Sequence, residues 1–301
     1  MHGKLTALDY LLAQIEKPDN VPALLLLTLA AFYIWHSWRR SRINDSRSTP
    51  MEAEMADKVQ VWPYLVRVEF LTSIVVLIIL TVWAITINAP LEEPANPALT
   101  PNPSKAPWYF LGLQELLVYF DPWIAGVMLP TLIIMGLIAI PYIDINPKGN
   151  GYYTIKERPF AQATFAFGFL VLWVVLIVMG TFFRGPGWNI FTPWEAWDPH
   201  RVVPLNNVDL PALVGVPTLN VDNTYNPLSI MIGAALILVF YSIGYFVWKK
   251  KQGTPFFKAL GPIRYGVTAF LTLSMTGVVI KILLRLLLNV KYVLATPFFN
   301  I

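Results

Sequence analysis

The chain has no cysteine and only three histidines in 301 residues, and charged residues make up just 13% of it. Each scarcity removes a class of function. Without cysteine there is no disulfide, no thiolate-held iron-sulfur cluster and no covalent haem attachment through a C-x-x-C-H run. His2, His36 and His200 stand far apart, so no histidine pair has the spacing of metal ligands on one helix. No dinucleotide fingerprint and no nucleophile-base arrangement is present, and Gly185-Pro186-Gly187 reads as a turn, because a phosphate loop needs a strand before it and a helix after it. An ordinary soluble domain carries about 25% charged residues. Here apolar residues reach 56% and mean hydropathy is +0.55, which is the composition of an integral membrane protein. The pI of about 9.1 comes from loop lysines and arginines that orient such a protein in its membrane, and gives no reason to expect nucleic-acid binding.

Six apolar runs are present, at residues 21–38, 70–87, 123–142, 161–183, 228–248 and 265–288. Each is close to the ~20 residues that cross a hydrocarbon core. The expected fold is an all-α integral membrane protein of about six transmembrane helices, with little length left for a soluble domain. Lys4, Asp9, Glu16 and Lys17 make the first twenty residues too polar to span, and a surface helix is expected there up to Pro18. No basic segment followed by an apolar core and a small-residue cleavage site is read, so no signal peptide is expected. In the sixth run Lys281 and Arg285 lie one turn apart, expected to snorkel or to hold an anionic lipid, or else to lay this segment on the membrane.

Loop charge alternates. Residues 39–67, 144–159 and 249–264 are basic, whereas 88–122 holds Lys105 as its one lysine or arginine and 184–227 holds Arg184 and Arg201. The positive-inside rule puts the basic loops in the cytoplasm and the other two, with both termini, outside.

Residues 88–122 organise the chain. Six prolines from Pro90 to Pro107 remove backbone donors and bias their predecessors to extended conformations, so most of this stretch is neither helix nor sheet. From Trp108 to Phe120 the pattern turns helical: Trp108, Leu111, Leu116 and Tyr119 fall near one stripe and Glu115 is the one charge, which predicts a short amphipathic helix at a membrane surface.

Pro94-Ala95-Asn96-Pro97, Thr100-Pro101, Lys105 and Trp108-Tyr109-Phe110-Leu111 resemble the loop between helices E and F of the cytochrome b family, which ends in a Pro-Glu-Trp-Tyr motif and forms the quinol-oxidation pocket. The exit Ile140-Pro141-Tyr142-Ile143-Asp144 resembles that family's Leu-Pro-hydrophobic-Asp ending. Residues 66–250 then correspond to helices E to H, with 1–65 an added tail, helix and basic loop, and 251–301 an additional carboxy-terminal helix. The resemblance implies quinol contacts from Pro107, Trp108, Tyr109, Phe110 and Leu111. It implies quinone or quinol at a site shared with other subunits, b-type haems in a partner because the paired haem-binding histidines are missing here, and the subunit IV arrangement of a split complex. The expected partners are a haem-binding cytochrome b amino-terminal-type subunit, a Rieske iron-sulfur protein, cytochrome c subunits and the lipid bilayer, in a dimeric complex of a bacterial inner membrane that couples electron transfer to proton translocation.

One position departs from the family: its motif carries Glu where this chain has Pro107, which cannot titrate. Glu115 is the candidate substitute proton acceptor; its other readings are membership of a charge network or exposure to headgroup water. Asp121-Pro122 reads as a helix-start signal, Glu92 and Glu93 as loop surface, His36 as interfacial and His200 as surface. The competing class is a quinone-binding or structural anchor of another redox complex. A secondary transporter is disfavoured by uncharged central spans.

Overall fold

The computed structural model describes residues 6–18, 20–47, 59–88, 94–98, 100–146, 153–195, 197 and 206–301. His2, Glu92, Glu93 and His200 lie outside these, so the readings placed on them have no structural counterpart. Among the described residues the chain is helical, with isolated backbone bridges in place of strands. Six helices are long and apolar enough to cross a membrane.

The elements are α1 (Ala7–Glu16), α2 (Val21–Ser46), α3 (Val61–Thr86), α4 (Trp108–Tyr119), α5 (Ile124–Ile143), α6 (Pro159–Phe183), α7 (Pro227–Lys251) and α8 (Pro255–Leu288). Apolar periodicity and proline punctuation located all of them, and the differences are at the ends. Helix α2 continues past the apolar run through its arginines, because Arg39 and Arg42 each stack over the tryptophan one turn earlier, Trp35 at 5.6 Å and Trp38 at 5.2 Å. Helix α8 begins before its apolar run and is broken at Gly261, whose φ of 73° precedes Pro262. An added Cβ at Gly261 would meet nothing within 4 Å, so the left-handed backbone and not crowding is what glycine serves there.

The chain divides into two compact units. One comprises Leu12–Pro101 and Gly149–Gln162. In it the inner end of α2 is tied to the loop before α6: Asn44 Nδ2 donates to the Tyr153 carbonyl at 3.0 Å, and Asp45 accepts from the Ile155 and Lys156 amides at 3.0 and 3.1 Å. His36 stacks on Phe32 and meets Tyr153 edge-on. Helix α3 is apolar on every side and exposed along its length, as a helix bathed in lipid or in partner chains must be.

The other unit, Met1–Leu11, Asn102–Lys148 and Ala163–Ile301, holds α4, α5, α7, α8 and most of α6. Small residues set its tightest approaches: a Cβ on Gly168 would stand 3.2 Å from Met275, and one on Gly233 would collide with the Val293 carbonyl. The carboxy-terminal residues fold back beside the loop that precedes α7, with Val208 donating to Asn289 and Leu210 to Tyr292. These segments, α4 and the turn after α6 gather at one end of the unit, and the basic connection from α7 to α8 is at the other end of the same two helices.

With the basic connection in the cytoplasm, as loop charge leads one to expect, α4 falls on the outer side. The cysteine-free chain allows a direct check. A single cysteine at Ser104 is expected to react with an impermeant thiol reagent in intact cells, and one at Gln252 only after the cytoplasmic face is opened; the reverse pattern overturns the orientation.

Candidate functional site

Helix α4 buries part of its expected apolar stripe, Leu111 and Tyr119, and buries Glu115 with it, the charge-network reading of that residue. The inward face is Leu111, Gly112, Glu115 and Tyr119, and Glu115 is 0% exposed. Two glycines make this possible. A Cβ at Gly112 would lie 3.5–3.7 Å from Ile177, Trp173 and Leu176 of α6, and one at Gly180 would lie 3.3 Å from the Leu111 carbonyl, so α4 and α6 pack nearly backbone to backbone. Helix α6 adds π-helical turns over Phe167–Val174 and Met179–Phe183, then ends in Arg184 with extended φ −102° and ψ 125°. Each wide turn rotates the residues after it about the helix axis, and the last delivers Arg184 under α4.

Arg184 is 5% exposed and grips Glu115: Nη2 donates to Oε1 at 2.6 Å, and Nε is 3.1 and 3.0 Å from Oε1 and Oε2. Tyr119 donates its hydroxyl to Oε1 at 2.6 Å and accepts from Arg184 Nη2 at 3.3 Å, while Trp188 Nε1 donates to Oε2 at 3.1 Å. Trp188 reaches that oxygen from a tight turn in which Gly187 (φ 62°) and Trp188 itself (φ 58°) are left-handed. For a bulky residue that backbone is costly, and it persists because Arg184 Nη1 donates to the Trp188 carbonyl at 2.8 Å while the indole holds Glu115. Gly185 admits the Phe191 ring, whose atoms would lie 2.6 Å from an added Cβ.

Electrostatics follow from this closure. Burial, then the charge and hydrogen bond of Glu115, push the Tyr119 phenol well above its ordinary 10.0. Burial works against the Arg184 cation, but the hydrogen bonds and charge of Glu115 outweigh it and raise its pKa further. Beyond Tyr119 the chain of contacts continues to α8. Lys281, 3% exposed, does not snorkel; its ammonium donates to the Tyr119 carbonyl at 2.6 Å and to the Lys291 carbonyl, and lies 5.3 Å from the Phe120 ring. A lysine in a span is tolerated when turned inward onto carbonyls and an aromatic face, and this one ties α8 to the end of α4.

The other face of α4 is the exposed one. Pro107 caps the helix in the open; Tyr109 and Phe110 are 50% and 54% exposed with centroids 4.7 Å apart, and half-buried Trp108 meets Tyr109 edge-on at 5.7 Å. Leu111 is set apart from these four: it is buried under Gly180. The approach to Pro107 is strapped in place, since Gln114 accepts from the Ala106 amide and donates to the Ser104 carbonyl at 2.8 and 2.9 Å. Lys105 donates to the Thr181 carbonyl at 2.8 Å and stacks over Trp197 at 5.2 Å, and Asn102 accepts from the Gly187 amide at 2.6 Å. Asp121 accepts from the Trp123 amide at 3.0 Å, the hydrogen bond of a helix-start residue. Among the described residues no group of acids and histidines could hold a metal ion.

Residues Arg184, Trp188 and Lys281 were missed as site residues by sequence reasoning. A signal for the first was present: Glu115 is the one charge of α4, and Arg184 immediately follows a charge-free span.

The class of protein so defined is a multi-pass helical membrane protein in which a short helix, aromatic on its open face, is locked by a buried ion pair to the end of a span. Residues 94–194, which are 101 of the 301, match the family model described as cytochrome b (C-terminal)/b6/petD. Over that stretch the chain is similar to the cytochrome b C-terminal family, as its motifs implied, a family of membrane subunits of bc- and b6f-type quinol oxidoreductases. The matched residues include α4, Glu115, Arg184 and Trp188. No solved structure matches the chain.

Proposed function

We propose that this chain is the subunit IV-like member of a split quinol oxidoreductase and supplies one wall of its outer-side quinol-oxidation pocket, through Pro107, Trp108, Tyr109 and Phe110. The observation that carries this reading is the exposed aromatic row on α4, next to a proline that ends a strapped loop, on a helix whose opposite face is immobilised by the Glu115–Arg184 pair. A flat quinol ring requires aromatic and aliphatic walls fixed in position. Leu111 acts from beneath as packing and not by touching the ring.

Oxidation removes two electrons and two protons from the quinol. This chain ligates no haem, its three histidines being too few for two pairs; one electron passes to a b-type haem of a cytochrome b amino-terminal-type partner and the other to a Rieske protein, with cytochrome c subunits as further carriers. The complex is dimeric and lies in a bacterial inner membrane. Of the readings open for Glu115, the charge network is the one its surroundings support: every hydrogen bond at its two oxygens is one it accepts, and no part of it meets water. Its role is to position α4, and the first quinol proton goes to a partner residue or to water beside Pro107.

The test is isolation of the chain with and without its partners. The intact complex is expected to show reduced b-type haem bands and to oxidise quinol, and the chain alone to show neither. Haem bands from the single chain, or a partner complex that carries no Rieske centre, would overturn the split-complex reading.

A further inference from the structure

The hairpin of α7 and α8 lies outside the matched residues, and the end away from α4 has its own chemistry. Residues 249–264 contain Lys249, Lys250, Lys251, Lys258 and Arg264 and no acid, and all five cations are exposed. Beside them, between the two helices, is a cleft of about 340 Å³ walled by Tyr241, Tyr245, Trp248, Pro262, Tyr265 and Phe270. Its walls are fixed. Tyr241 and Phe270 stack at 5.4 Å with planes 25° apart, Trp248 lies 5.0 Å from Tyr265, and Phe257 closes on both Trp248 and Tyr265 at 6.0 and 5.3 Å. The helix breaks at Gly261 and Pro262, between the Phe257 ring and the Tyr265 ring that it meets at this rim.

We propose that this end of the hairpin binds an anionic phospholipid, with its phosphate among the five cations and an acyl chain along the aromatic cleft. The cleft favours hydrocarbon: the Tyr265 hydroxyl already donates to the Gly244 carbonyl at 2.8 Å and the Tyr241 hydroxyl is already paired with Ser274 at 2.9 Å, so two of its three tyrosines offer carbon faces. The charge selects the headgroup. Five cations with no acid favour a net negative phosphate and disfavour a zwitterion whose ammonium would face them. A quinone ring carries no charge for the lysines and finds neither of those hydroxyls unpaired. Nothing in this inference depends on where quinol is oxidised.

The experiment uses the purified complex in nanodiscs that contain brominated phosphatidylglycerol or brominated phosphatidylcholine, with the fluorescence of Trp248 isolated by difference from Trp248→Phe. Quenching by the phosphatidylglycerol is expected to reach half its maximum at a mole fraction lower by about fivefold or more, about fivefold being the ~1 kcal/mol of one engaged cation. The exposed substitutions Lys250→Gln, Lys251→Gln and Arg264→Gln, combined, are expected to abolish the difference while helicity is kept. Equal quenching by the two lipids, or a preference that survives the triple substitution, overturns the proposal. So does displacement by inorganic phosphate, which would make this a free-anion site, or by a short-chain quinone, which would make it a quinone site.

Discussion

Arg184→Met is expected to cost about 3–5 kcal/mol and to deplete the assembled complex, because it leaves the Glu115 carboxylate with no exposed surface and no counter-ion. Glu115→Leu strands the Arg184 guanidinium in the same way, as does Glu115→Gln. The double replacement Glu115→Leu with Arg184→Met is expected to recover part of the loss, since it removes the unpaired charge that either single change leaves, while Tyr119 and Trp188 still lose their acceptor. A thermal-unfolding midpoint for each variant completes the double-mutant cycle; additive losses would mean the pair is not the clamp. The same variants separate positioning from proton transfer. Tyr119 is held protonated by burial and by Glu115, so its stabilising share is complete below the ordinary phenol value of 10.0 and is lost only as pH rises through the raised value. No change of state in that phenol contributes across neutrality. Complex that does assemble with Glu115→Gln is therefore expected to keep the parent pH profile of quinol oxidation, and a lost limb of that profile would make Glu115 itself the proton acceptor.

Tyr109→Ala combined with Phe110→Ala is expected to raise KM for quinol about tenfold, the equivalent of ~1.4 kcal/mol of lost ring contact, with the unfolding midpoint and pH profile nearly unchanged. The separation follows from exposure: these two side chains are half or more in the open and support no neighbour in the core, so truncation is felt by a bound ring and hardly by the fold. Leu111→Ala is the contrasting control. It opens space between α4 and Gly180, and its effect is expected in stability first. A double variant with unaltered KM would remove the aromatic row from the pocket.

The sequence by itself determined the membrane class, the six spans to within a few residues at most ends, the short helix after the proline-rich loop and the cytochrome b C-terminal motif. These are one-dimensional properties: length and continuity of apolar runs decide what can enter a bilayer, and proline and charge mark where each run stops. It also led to the expectation that the paired-histidine haems belong to a partner, since that needs only a count of histidines.

Tertiary structure decided which way α4 faces. On the sequence Glu115 looked like the polar edge of an amphipathic helix, because a lone acid among apolar residues is expected to seek water. Two glycines 68 positions apart, Gly112 and Gly180, let α4 and α6 approach closely, and wide helical turns rotate Arg184 into the gap, so the acid and the one cation that can neutralise it are buried together. The inward turn of Lys281 has the same origin: carbonyls of Tyr119 and Lys291, freed at a helix end and in a returning tail, stand where its ammonium can reach them. Burial of a charge depends on a partner brought from elsewhere in the chain, and that partner is a property of packing which no local pattern of residues encodes.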